Sequence, residues 1–324
     1  MIKPLHIKNT TYSCNLVQGP LAGVSCAPFR ALVLKWGKPA FSYTEMISCK
    51  TLIHGNPTLQ QRFVLKVPGE TLCFQLSSNN VIELGLATRM VTDYGADLID
   101  LNCGCPVKKI RSKGAGSHLL SEASKIYSLI RAMKENTHCP VSIKIRVDAD
   151  SDDHFNQDIA SAIADAGADF ITVHGRHWRH GYDIPCAYDD IAFFVDALDI
   201  PVIGNGNIAC LPSLKRMFKT GCAGVMIARA GVGQPWLIQQ LISQAQNVPY
   251  QIPLPLTIGK LFQEHLFGLC KLLSSDNFAV LQARTFAKYY ARTLPNKQVF
   301  CEDFNRCNDL KSAVRIIEDY FIDG

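Results

Sequence analysis

Two thiols one residue apart stand in the run Asn102-Cys103-Gly104-Cys105-Pro106-Val107-Lys108-Lys109. Cysteines this close do not readily bridge each other, and no CxxC pair elsewhere completes a zinc site. Buried as small hydrophobes, both would be inert, the ordinary condition of a free cysteine. Gly104 and Pro106 argue otherwise for Cys105. They place it on a rigid, open turn, where a thiol serves as nucleophile, redox thiol or general acid. Lys144 interrupts the apolar run Val141–Val147. Its plain role is to snorkel to solvent; its chemical role is a fixed cation beside an anionic cofactor. His174 closes a further apolar run and can hydrogen-bond a cofactor or a substrate. Two loops of small residues, Asn205-Gly206-Asn207 and Ala228-Arg229-Ala230-Gly231, let backbone N–H groups approach a phosphate, with Arg229 as charge partner. Each loop alone reads as an ordinary turn. Together, after successive apolar runs, they point to the phosphate of a flavin or nucleotide, and a reduced flavin would gain from the nearby Lys144 ammonium.

These residues need a frame that brings them to one level. Short apolar runs recur at Cys14–Pro20, Phe41–Met46, Leu72–Leu76, Leu98–Asn102, Val141–Val147, Phe170–His174, Val202–Asn205 and Gly224–Ala228. Continuous apolar runs suit parallel strands buried on both faces. Helix-length segments lie between them, including Val81–Tyr94, Ser121–Asn136, Asn156–Ala166 and Leu211–Thr220. Gly95, Gly167 and Gly221 each precede a strand at the point where a helix should end, since glycine takes the left-handed C′ position without penalty. Eight such units are the closing number of a (β/α)8 TIM barrel. The alternative, a doubly wound open sheet, lacks a GxGxxG fingerprint after the first strand. In a barrel, binding groups sit at the carboxyl ends of the strands, where these polar residues fall.

The chain has 324 residues, too many for the barrel alone. The proline-rich stretch 247–255 reads as a linker, which divides the chain into a barrel at 1–246 and a small helical C-terminal domain at 256–324. Hydrophobic residues make up 48%, enough for a large core and too many for a disordered chain. No apolar run has the roughly 18 residues that a membrane span requires, and the first residues carry no secretory signal. Thirteen cysteines without a disulfide framework suit a reducing cytoplasm. The net charge of +5 is compatible with a polyanionic partner.

The cysteine loop, together with Gly19-Pro20-Leu21-Ala22-Gly23-Val24, Pro28-Phe29-Arg30, Val173-His174-Gly175-Arg176, Pro201–Ile208, Met226-Ile227-Ala228-Arg229 and Gly233-Gln234-Pro235-Trp236, resembles the tRNA-dihydrouridine synthases, most closely their bacterial DusB-type branch. The resemblance covers nearly the whole chain, and the cysteine loop is its most specific part. It implies an oxidoreductase that reduces the C5–C6 double bond of particular uridines in tRNA, with tightly bound FMN as hydride donor, NADPH as its reductant and Cys105 as proton donor. It places Pro20, Leu21, Ala22, Gln75 and Lys144 at the flavin ring. Asn205, Gly206, Asn207, Ala228 and Arg229 fall at its phosphate. His174 lines the same pocket, as do Asn102 and Arg146 on the substrate side. The family usually carries methionine at position 21, an acidic residue at 207 and glycine at 228. Asn207 should therefore weaken one hydrogen bond, and Ala228 adds a methyl group near the phosphate.

Charge placement suits RNA. Arg284, Lys288 and Arg292 are spaced as one helical stripe with Tyr289 and Tyr290 beside it. Arg176, His177, Arg179 and His180 form a second cluster at the barrel mouth, and Lys108 and Lys109 follow the cysteine loop. Solvated helix charge is the plain alternative. Two other functions remain open on sequence grounds. One is a small-molecule flavin reductase related to dihydropyrimidine or dihydroorotate dehydrogenases; the other is a non-catalytic RNA-binding barrel.

Overall fold

The computed structural model describes residues 1–148, 153–179 and 184–321; His180 lies outside them. Eight parallel strands close into a barrel: Leu16–Gln18, Ser42–Tyr43, Leu72–Ser77, Leu98–Cys103, Val141–Val147, Phe170–His177, Val202–Asn205 and Gly224–Ile227. The ring closes where Val225, Met226 and Ile227 of the eighth strand register against Leu16, Val17 and Gln18 of the first. The strands are buried along almost their whole length, as expected of a parallel sheet covered by helices outside and side chains inside.

The (β/α)8 expectation holds, with local differences. The second strand is shorter than Phe41–Met46. After Tyr43 the ladder is interrupted because Thr44 Oγ1 accepts the Gln75 N–H (3.0 Å), and Ile47–Ser48 pairs separately with the end of the third strand. The sixth strand runs on to His177, with a register shift between Arg146 and Val147 of its neighbour. Gly95, Gly167 and Gly221 all have the left-handed φ expected after a helix (85°, 77° and 83°).

An unanticipated hairpin, Leu5–Ile7 paired with Thr10–Tyr12, closes the amino-terminal end of the barrel. Leu5, Ile7 and Tyr12 pack with Phe41, Tyr43, Leu98, Phe170 and Met226 in a separate apolar cluster inside the ring. Tyr12 meets Phe41 at 5.4 Å between ring centroids, and Phe41 meets Phe170 at 5.9 Å. This packed floor leaves the opposite mouth as the place where polar groups can gather.

Beyond Ala245 no helix or strand occurs until Pro255. From there helices Pro255–Leu273, Asp276–Tyr290, Lys297–Arg306 and Leu310–Phe321 form an all-helical C-terminal region. They pack around Phe262, Tyr290, Phe300 and Phe304. The region docks against the helix Ala27–Gly37. A Cβ on Gly268 would lie 2.8 Å from Pro28 Cβ, and Lys35 pairs with Glu264 at 3.0 Å.

His265 is buried in this helical core beside Phe29 and Phe286, and one ring nitrogen shares a hydrogen bond with the Tyr290 hydroxyl (3.2 Å). Burial pushes its pKa down to about 3. In the unfolded chain the imidazole protonates near pH 6.5, so below that pH the unfolded state binds the extra proton. Stability from this site is complete above about pH 6.5 and declines by roughly 1.4 kcal/mol per pH unit on acidification. Urea unfolding between pH 6.5 and 5.5 should show this loss in the wild type and a flatter profile in His265→Leu; parallel profiles would contradict it.

Candidate active site at the barrel mouth

A cavity of about 690 Å³ opens at the carboxyl ends of the strands. Pro20, Leu21 and Met226 supply apolar wall, and Lys144, His174 and Asn205 rise from strands five, six and seven. Gly206, Asn207, Ala228 and Arg229 line it from the loops after strands seven and eight. Lys288, Tyr289, Arg292 and Lys297 complete it from the helical region. This volume is typical of a cofactor or substrate site.

Below the mouth, the inward side chains form a chain of hydrogen bonds. Ser142 Oγ donates to Asp100 Oδ1 (2.6 Å), and Gln75 Nε2 donates to Asp100 Oδ2 (2.8 Å). Asn102 Nδ2 donates to Gln75 Oε1 (2.7 Å), and Asn102 Oδ1 accepts the backbone N–H of Cys105 (3.1 Å). The cysteine turn is thus held from inside the barrel. Cys105 is half-buried at its tip, whereas Cys103 is fully buried and its thiol is pushed well up by desolvation. Of these two thiols only Cys105 is partly exposed; it is not among the residues lining the cavity but acts electrostatically on Lys144, which is.

Asp100 was not among the expected site residues, although a carboxylate between Ile99 and Leu101 in a core strand is a signal that sequence alone carries. Burial raises its pKa to about 6, against the stabilising bonds from Ser142 and Gln75 and the positive charge of Lys144. The Lys144 ammonium is lowered to about 8, by desolvation first and Arg146 second, while Asp100 and Cys105 pull it back up. Lys144 is therefore a cation kept in a partly dry site, within electrostatic range of both Asp100 and Cys105.

His174 is buried, and desolvation with four surrounding cations drives its pKa well below the usual imidazole value. Arg176 Nη1 lies 2.9 Å from His174 Nε2. A guanidinium can only donate, so Nε2 accepts and the ring proton resides on Nδ1. Arg176 also donates to Asn207 Oδ1 (2.8 Å) and the Ile184 carbonyl (3.0 Å). It is 2 % exposed. It stands in the cavity wall and ties together the loops after strands six and seven. Asn207 supplies the acceptor for this clamp through a neutral amide, which makes a weaker bond to the guanidinium than a carboxylate would. Its φ of 52° is a conformation asparagine tolerates.

Other expected residues fall in different places. Ala22 is exposed beside Leu21. Gln75 and Asn102 lie beneath the cavity in the hydrogen-bond chain. Arg146 is 1 % exposed, donates to the His177 carbonyl (3.2 Å) and acts electrostatically on Lys144 and His174 of the cavity wall. Lys108 and Lys109 are exposed on the short helix Lys108–Arg111. Arg111, from the same helix, and Arg179 lie over the Trp178 ring at 5.3 and 4.6 Å.

The stripe of Arg284, Lys288 and Arg292 is not one helical face. The helix ends at Tyr290, and Arg292 sits in the 3-10 turn Ala291–Thr293. Arg284 donates to the Cys307 carbonyl (2.6 Å) and Asn308 Oδ1 (3.0 Å), which ties it to its own helical region. Arg292 turns towards the loop after strand eight, and Lys288 is the exposed member on the cavity rim.

A family model described as dihydrouridine synthase (Dus) matches residues 16–323. The chain is 29% identical to tRNA-dihydrouridine synthase B of Pseudomonas aeruginosa, over 94% of this chain and 92% of that protein. It is 30% identical to the probable tRNA-dihydrouridine synthase 1 of Synechocystis sp., over 98% of this chain and 89% of that protein. To tRNA-dihydrouridine synthase B of Vibrio cholerae it is 28% identical over 98% of both chains.

Proposed function

The chain belongs to the dihydrouridine synthase family, and on that premise we propose that it reduces the C5–C6 double bond of specific uridines in tRNA, with FMN as bound cofactor and NADPH as reductant. The carrying observation is that Cys105, on a turn anchored from inside the barrel, lies within electrostatic range of Lys144, which lines a cavity rich in donors.

The residues fit FMN. The loops at Asn205–Asn207 and Ala228–Arg229 would take the phosphate, with Arg229 as its charge partner, and Pro20 and Leu21, on the same cavity wall, would flank the ring. When bound there, FMN supplies the hydride. The chain supplies the rest. Lys144 offers positive charge where negative charge accumulates on reduction. His174, neutral, offers a donor without adding charge. Cys105 protonates C5 of a uridine turned out of the RNA, as enzymes acting on a base require. Asp100 keeps Gln75 and Asn102 in the orientation that holds the Cys105 turn.

Lys108 and Lys109, exposed beside that turn, are assigned to RNA phosphates. Replacing both with alanine should reduce the slope of log affinity for tRNA against log salt by about 1.5 to 2. An unchanged slope would remove them from the interface. Among the described residues no helix is long and apolar enough to cross a membrane, and we assign the protein to a reducing, cytoplasmic setting from its thirteen free cysteines. The decisive test of the proposed activity is incubation of the FMN-loaded protein with NADPH and unmodified tRNA, followed by dihydrouridine mapping. Reduction of free uracil or dihydroorotate in place of tRNA would favour a small-molecule reductase.

A further inference from the structure

Arg292 lies in the turn that follows the helix Asp276–Tyr290, yet its guanidinium reaches the loop after strand eight. Nη2 donates to the Val232 carbonyl (2.5 Å), Nη1 to the Ala230 carbonyl (3.4 Å) and Nε to the Tyr289 carbonyl (3.0 Å). One planar cation thus binds the end of a C-terminal helix to the loop after strand eight, across a sequence separation of 60 residues to Val232. The two segments also meet backbone to backbone. A Cβ on Gly233 would lie 2.5 Å from the Tyr289 carbonyl carbon and 2.7 Å from the Tyr290 nitrogen. Gln234 Nε2 adds a bond to the same Ala230 carbonyl (3.2 Å). Within the loop, Gly231 N–H donates to Ala228 O and Val232 N–H to Arg229 O (3.0 and 3.2 Å). Ala228, Arg229 and Ala230 of this loop form the cavity wall.

We propose that Arg292 is a positioning residue that holds the phosphate-binding loop Ala228–Val232 in its binding conformation, so that the helical region completes the cofactor site as well as facing RNA. The inference rests on the reading of this cavity as an FMN site. Charge-assisted bonds to two carbonyls fix the loop's direction, and a lysine's single ammonium cannot reproduce the planar fork that spans them. The guanidinium, occupied in this way and half-buried, is not presented to RNA as the exposed Lys288 is.

The test uses the full-length protein, stripped of FMN, as wild type, Arg292→Ala, Arg292→Lys and Lys288→Ala. Hydrogen exchange of the free proteins should show the amides of residues 228–233 exchanging at least about ten times faster in Arg292→Ala, with the rest of the barrel unchanged. FMN titration followed by flavin fluorescence should show a dissociation constant raised about tenfold or more in Arg292→Ala, with Arg292→Lys in between. The salt slope of tRNA binding should stay at its wild-type value in Arg292→Ala and fall by about 1 in Lys288→Ala. Wild-type exchange in the loop, FMN affinity within twofold of wild type, or a tRNA salt slope lost through Arg292 would each overturn the proposal. If Arg292→Ala does not fold, Arg292→Lys carries the same measurements. A wild-type protein that takes up no FMN would defeat the cofactor reading, while the exchange measurement still decides whether Arg292 holds the loop.

Discussion

Cys105→Ala should lower dihydrouridine formation by about 10²- to 10⁴-fold, the usual weight of a positioned general acid, while the protein still binds FMN. The reason lies in the turn around it. The Cys105 backbone is anchored by Asn102, and that bond uses the main-chain N–H, so removing the thiol leaves the anchor in place. Cys103 cannot substitute, because it is sealed in the core and its thiol is strongly disfavoured from ionising. Cys105→Ser, which keeps a proton of higher pKa at the same point, should recover only a small part of the lost rate. The measurements are single-turnover reduction of tRNA and the rate of FMN reduction by NADPH. The first should collapse and the second should stay near wild type. Full tRNA turnover by Cys105→Ala would sink the assignment of the proton donor.

Lys144→Met should cost about 10²- to 10³-fold in FMN reduction, by analogy with removal of a preorganised charge from a partly dry site. The aliphatic replacement preserves most of the volume and removes only the ammonium. The lowered Lys144 pKa of about 8 adds a signature in pH. The charged form is complete well below that value and is lost at alkaline pH, above about 8 in the empty site and higher beside the negative charge of the cofactor, so the wild-type rate of FMN reduction should decline on the alkaline side. Lys144→Met should be slow at all pH values and show no such decline. A variant that reduces FMN at the wild-type rate would show that the cation serves another purpose. The two predictions separate cleanly, since Cys105 acts on the RNA step and Lys144 on the charge of the cofactor.

The strands, and with them the barrel, were legible because the signals are local. A run such as Val141–Val147 is apolar over its whole length, and Gly95, Gly167 and Gly221 adopt the left-handed φ that their place after a helix demands. The loops at Asn205–Asn207 and Ala228–Arg229 and the turn at Cys105 were legible for the same reason, as small or rigid residues at strand ends. The hairpin Leu5–Tyr12 was not, because three-residue strands are too short to show alternation; its burial depends on the aromatic floor it meets.

The charged residues divide along the same line. The sequence by itself determined which groups carry charge or a proton and at which end of the barrel most of them stand, because strand period and chain order settle that within a few residues. Only the tertiary structure decided what each group bonds. Arg176 finds Asn207 31 positions away, Arg284 finds the Cys307 carbonyl 23 away, and Asp100 finds Ser142 42 away. An arginine offers five donors and no acceptor, so it settles wherever folding delivers oxygen atoms in reach. Spacing along a helix predicts its direction only while the helix continues, and this one stops at Tyr290, two residues before Arg292.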